Sequence, residues 1–214
     1  MSISNQNTPF GLSPVQRFDG ASWRDSLRKY YVPAANTNAL FVGDLIVKVA
    51  GSADIQGVNG IDLASAGGAA TGVICGWLGV CAAGLASPAF FALSGTPGNI
   101  YRPASTSFDY YALVNDDPEA EFWIQENDDY ATTTANPLPV AAVGKNANII
   151  HAAGSIYTGL SGTMLDASTV ATTSTLNLSI KGLVGQPAAV PGALYGKAIV
   201  TINNHTETPH QAGI

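Results

Sequence analysis

Turn-forming residues punctuate this chain from end to end, and that spacing constrains the fold more than any other feature. Gly, Pro, Asn and Asp recur every 8–12 residues, and short runs rich in Val, Ile, Leu, Tyr, Phe and Thr lie between them. An α-helix of ordinary length does not fit between such breaks, whereas a β-strand does, so the pattern predicts an all-β sandwich or barrel. The runs are 40–49 (LFVGDLIVKV), 72–80 (GVICGWLGV), 110–114 (YYALV), 121–125 (EFWIQ), 175–184 (TLNLSIKGLV) and 198–203 (AIVTIN). Within TLNLSI, Leu176, Leu178 and Ile180 alternate with Thr175, Asn177 and Ser179, the signature of a half-buried strand. Phe122 and Ile124 alternate with Glu121, Trp123 and Gln125 in the same way, which predicts that Glu121 faces water.

The expected fold is an antiparallel β-barrel or β-sandwich core over residues 30–205, preceded by an extended amino-terminal arm (1–29) and followed by a short tail (206–214). A length of 214 residues is enough for one such core to bury its own apolar surface. One segment resists the pattern. Residues 22–31 can be read as a helix, with Ser22 and Asp25 as a capping box and Pro33 as the stop. The other reading, an extended arm leading into a strand, is preferred. A short echo, Tyr31-Val32-Pro33-Ala34 and Tyr101-Arg102-Pro103-Ala104, precedes two of the strands.

Charge narrows the function. Only 11% of residues are charged and the net charge is −6, which disfavours nucleic acid, whose phosphates attract basic patches. Residues 63–101 carry no charge at all, and Gly68, Gly72 and Gly76 have the spacing of a membrane helix-packing motif. That stretch is nonetheless mostly Gly and Ala, and its glycines disfavour a spanning helix, so Gly-punctuated strands and no membrane partner are expected. The first ten residues, MSISNQNTPF, show no signal-peptide pattern.

Catalytic patterns fail in turn. G-x-S-x-G is absent, since Gly159-Leu160-Ser161-Gly162 closes one residue early, and neither nucleotide-binding glycine pattern occurs. His151 reads as a packed or surface histidine. Cys75 and Cys81 read as two small apolar residues, with a disulfide open if residues 76–79 reverse the chain. No H-x-x-x-H pair exists, so no metal site, cofactor or catalytic residue is assigned. The sequons at Asn177 and Asn204 carry no weight without a secretory signal. Eight of the fifteen acids fall between Asp109 and Asp129 (109, 116, 117, 119, 121, 126, 128 and 129), with no base between Arg102 and Lys145. They read as a solvated acidic rim, with metal or carbohydrate binding as the alternative. Uncharged polar runs at 132–134, 161–163 and 172–175 suit an interface, whose centre is depleted in charge.

Three long stretches carry a resemblance. They are 30–54 (YYVPAANTNALFVGDLIVKVAGSAD), 101–127 (YRPASTSFDYYALVNDDPEAEFWIQEN) and 159–184 (GLSGTMLDASTVATTSTLNLSIKGLV). In this order they resemble the capsid decoration, or cement, proteins of tailed bacteriophages. The resemblance implies a β-rich, non-enzymatic virion protein on the outer surface of the assembled capsid, made in the host cytoplasm. Its partner would be the major capsid protein, and its own state a homo-oligomer, with a trimer favoured. Another virion role, in head completion, connector or tail, is the alternative. Phe10, Phe18 and Trp23 are the expected contacts to capsid or neighbouring subunit, because aromatics in an arm too short to own a core need a partner.

Overall fold

The computed structural model describes residues 5–23, 27–82, 100–104, 106–132, 135–185 and 189–208. Thirteen strands follow one another among these residues: β1 Ser13–Arg17, β2 Leu27–Val32, β3 Leu40–Phe41, β4 Leu45–Ala53, β5 Asn59–Leu63, β6 Gly72–Ala82, β7 Tyr101–Arg102, β8 Phe108–Asn115, β9 Ala120–Gln125, β10 Asn146–Ile150, β11 Met164–Ala171, β12 Leu178–Leu183 and β13 Lys197–Ile202. Two single-turn 3-10 segments, Tyr130–Thr132 and Val140–Ala142, lie between β9 and β10. The chain is all-β, as the punctuation predicts.

Strands β2-β5-β4-β6-β8 close into a barrel, and β1-β9-β13-β12-β10-β11 form a six-stranded sheet. All named pairings are antiparallel except β2–β5, where Tyr31 lies opposite Gly60. The six-stranded sheet curls until its two sides meet, and the Asn127 N–H donates to the Leu165 carbonyl at 3.1 Å. A two-stranded ribbon, β3–β7, stacks Phe41 on Tyr101 with ring centroids 5.0 Å apart.

The alternation of side chains along β4 and β6 joins the two units. Leu45 and Val73 point into the core of the six-stranded sheet, with Phe122, Ile124, Leu178 and Val200. Their neighbours Ile46 and Ile74 point the other way, into the barrel core with Tyr30, Val32, Ile61 and Val114. Successive residues of a strand face opposite sides, so the starts of these two strands are buried on both faces. Asn177 adds a polar rivet. Its side chain donates to Ser65 O at 3.1 Å and Gly68 O at 2.8 Å, and accepts from the Gly67 N–H at 2.8 Å. Both sequon asparagines, Asn177 and Asn204, are buried.

Several expectations are settled here. Residues 27–31 are strand β2 rather than helix, and 24–26 lie outside the described residues. Strand β6 runs through residues 76–79 with bulges and no reversal, and Cys75 is a free thiol. Cys75 is only half-buried, and the side chain of Cys81 lies outside the described residues. No helix among the described residues is long and apolar enough to cross a membrane. Residues 83–99 of the uncharged stretch, 133–134 of the threonine run and 209–214 of the tail lie outside the description.

Candidate functional site

The amino-terminal segment lies along its own body. The Asn5 side chain donates to the carbonyls of Val190 (3.2 Å) and Leu194 (3.0 Å) and accepts from the Val190 N–H at 2.9 Å. Gln125 then takes the Thr8 N–H at 3.0 Å and donates to Asn7 Oδ1 at 2.9 Å. At Gly11 the backbone passes so close to Gly43 that a Cβ would sit 2.4 Å from Gly43 O, and both glycines have positive φ (+73° and +95°). The Leu12 N–H donates to Gly43 O at 2.8 Å, and β1 then pairs with β9.

This path separates the three expected contact residues. Phe10 and Trp23 line one groove of about 340 Å³ together with Leu12, Val42, Cys75 and Leu160. Among the described residues no charged side chain lines it, although Lys197 Nζ lies 5.4 Å from the centre of the Phe10 ring. Burial pushes the Cys75 thiol up to about 11. Phe18 stands apart at the end of β1, 74% exposed, its N–H bonded to Glu119 O.

A second exposed apolar group escaped sequence reading. Ile156 and Tyr157 (87% exposed) crown the loop between β10 and β11, with Ile100 and Leu160 half-exposed nearby. The loop is tied to the barrel by Val42 N–H to Gly159 O and Ser161 N–H to Val42 O. Its glycines were the available signal. A Cβ at Gly154 would strike the Phe41 ring at 2.5 Å, and one at Gly159 would strike Ile100 O at 2.4 Å.

Beneath this loop, Ser161, His151 and Asp44 gather without forming a catalytic triad. Ser161 Oγ is buried and donates to Asp44 Oδ1, while Asp44 Oδ2 accepts the Phe41 N–H at 2.7 Å. The His151 ring nitrogens bond Thr163 Oγ1 (2.8 Å) and the Ala64 carbonyl (2.7 Å) and neither Ser161 nor Asp44, among the described residues. Triad chemistry needs the imidazole on the nucleophile's own hydroxyl. Here the serine bonds the carboxylate directly, and the network pins the loop. Burial raises the Asp44 pKa against the lowering effect of these hydrogen bonds.

The expected acidic rim is corrected. Asp109, Asp116, Glu121, Glu126 and Asp128 are buried, each in a different local role. Asp116 accepts from Tyr30 OH at 2.8 Å and pairs with Arg28 at 3.4 Å. Asp109 accepts the Ala34 N–H at 2.7 Å, and Asp117 and Glu119 hold Arg17 at 2.9 and 2.8 Å. Glu121 does not face water, because β1 pairs alongside β9 and the cross-strand neighbour Gln16 donates to its carboxylate at 2.9 Å. Burial first, then the neighbouring Asp128 carboxyl, pushes Glu126 up to about 8.

Among the described residues, no three His, Cys, Asp or Glu side chains come together as a metal cluster. The geometry offers, among the described residues, apolar surface on two loops and one groove without a charged lining residue. Comparison with protein-family profiles, with curated proteins and with solved structures finds nothing that matches this chain.

Proposed function

We propose that this chain is a structural protein of a tailed-phage virion, which binds the outer surface of the assembled capsid and cements neighbouring major capsid subunits. The observation that carries the reading is the resemblance of residues 30–54, 101–127 and 159–184 to capsid decoration proteins. Those stretches contain the end of β2, all of β3, β4, β7–β9 and β11–β12, so they draw on both the barrel and the sheet. Exposed Phe18, Ile156 and Tyr157 on a body with few charges supply apolar anchors of the kind a protein interface needs.

The physics of cementing asks little of each copy. An interface of about 1,600 Å² makes a stable contact, and a trimer that engages several capsid subunits gains avidity without further contacts per copy. Binding the assembled lattice but not the loose subunit stabilises the shell by mass action. The test is quantitative mass spectrometry of purified particles of the encoding virus. A ratio to the major capsid protein between roughly one to three and one to one supports lattice decoration. A handful of copies per particle assigns a connector or tail role instead, and absence from the particle removes the virion reading.

A further inference from the structure

Glu126 follows directly on β9 and is 1% exposed, Asp128 is 5% exposed, and their carboxyls are hydrogen-bonded to each other. Carboxylates only accept, so a bond between two of them requires a proton on one. Each has one oxygen served by the main chain: the Gly196 N–H donates to Glu126 Oε1 at 3.3 Å, and the Tyr195 N–H donates to Asp128 Oδ1. The remaining oxygens, Glu126 Oε2 and Asp128 Oδ2, are buried and meet no other donor among the described residues. Little water reaches the pair. The cavity beside Glu126 is about 10 Å³, close to the least space that holds one water, and Leu138, Leu183, Pro191 and Lys197 border it.

The pair holds the 190–196 loop. Besides the two carboxyl bonds, Gly196 O accepts the Glu126 N–H at 3.0 Å, and the loop in turn grips Asn5 through Val190 and Leu194. Asp128 and Tyr195 both hold positive φ (+58° and +57°), a conformation that non-glycine residues rarely adopt and that the bond between them helps maintain. We propose that Glu126 and Asp128 are a proton-sharing latch, which fastens the 190–196 loop and Asn5 to the end of β9 and opens when the shared proton is lost. Burial first, then the hydrogen bond and charge of Asp128, place the Glu126 titration at about 8 in the closed latch, against an ordinary value of 4.5. The closed form thus keeps a proton that the open form gives up. Its advantage is complete below the ordinary value and is lost as pH rises through about 8. The other titratable groups on the elements around the pair are Asp129, Tyr130, Asp166 of β11, exposed Lys181 of β12, Tyr195 of the loop and Lys197 of β13. Of these, Asp166 accepts from Asn127 at 3.4 Å, and Lys197 Nζ lies 5.4 Å from the centre of the Phe10 ring. This inference does not depend on the capsid reading.

The test is hydrogen exchange of the full chain against pH, corrected for base catalysis, with β12 as the internal control. Opening of residues 190–196 should rise by up to about tenfold per pH unit between about pH 6 and 8 and level off above, while β12 should not follow. Glu126→Gln and Asp128→Asn replace the shared proton with an amide N–H that does not titrate, and both should abolish the slope. Carbon-detected NMR titration of the wild-type carboxyls should show one proton retained by the pair up to about pH 8, a readout that stands even if a variant fails to fold. Ordinary midpoints for both carboxyls overturn the proposal. So does a loop slope no steeper than that of β12, or an excess slope that persists in both variants.

Discussion

Arg102 shows how much one side chain organises. It is fully buried, and its guanidinium donates to five carbonyls: Asn38 (2.6 Å), Asn36 (2.7 Å), Pro33 (3.0 Å), Pro103 (3.1 Å) and Ala34 (3.4 Å). The Tyr-x-Pro-Ala echo therefore has a physical meaning, since the arginine of the second copy holds the Pro-Ala carbonyls of the first. Burial holds its pKa below the ordinary arginine value. Arg102→Met would strand those carbonyls and should destabilise the chain by about 3 kcal/mol or more in urea unfolding. Arg102→Lys should recover only part of this, because an ammonium cannot spread five donors in a plane. His205 makes a different prediction. It is buried, and burial lowers its pKa below 6.5, so the unfolded chain binds the extra proton first. Its contribution to stability is complete above about pH 6.5 and is lost as pH falls below that value. The groups around it are Glu207, Asp116, Thr71 and Lys48. Its Nδ1 accepts the Glu207 N–H at 3.1 Å, an acceptor that asparagine can replace. His205→Asn should thus flatten the difference between urea midpoints measured near pH 8 and pH 5.5.

At the scale of elements, the contact between Gly11 and Gly43 decides where the amino-terminal segment goes. An alanine at Gly43 would bring its Cβ to 2.6 Å from Phe10 O while holding φ at +95°. Gly43→Ala should cost about 2 kcal/mol or more and raise hydrogen exchange across residues 5–12, whereas Gly20→Ala, with open space around it, should cost only the strain of its φ. Sequence reading found the strands that are apolar runs, such as β6 and β8, and missed those that polar or turn-forming residues interrupt. In β5, Asn59-Gly60 reads as a turn, yet Gly60 is a strand residue that Ser52 overlies so closely that a Cβ would meet its Oγ at 2.1 Å. In β10, NANII begins with a buried asparagine bonded to the Thr173 carbonyl at 3.0 Å, so its polar start conceals a core strand. The acidic residues were misread for the same reason. Local alternation fixes which side of β9 Glu121 occupies, but only the pairing with β1, more than a hundred residues away, reveals that Gln16 lies beside it there. Which of the arm's aromatics are exposed was legible only in part, because Phe10 and Trp23 look like Phe18 in sequence, yet they line a groove while Phe18 is 74% exposed.

For the whole molecule, Phe18 is the cleanest probe of the proposed role. It is largely exposed and sits outside both cores, so Phe18→Ser should leave the melting temperature within about 1 °C of wild type. On the cement reading it should reduce occupancy on stripped capsids several-fold in a sedimentation assay, and Tyr157→Ser should do the same if the second loop also touches the lattice. Unchanged occupancy in the double variant would remove both loops from the contact. The strands shared by the two cores bear on a separate matter, how such a protein can be altered. With Leu45 and Val73 committed to one core and Ile46 and Ile74 to the other, neither half can be expressed without stripping the wall it borrows from its neighbour. The chain should melt in a single calorimetric transition and give no stable half under protease. Insertions should be tolerated at loop tips such as 54–57, where Ile55 is 80% exposed, and not within the parts of β4 and β6 that both cores share.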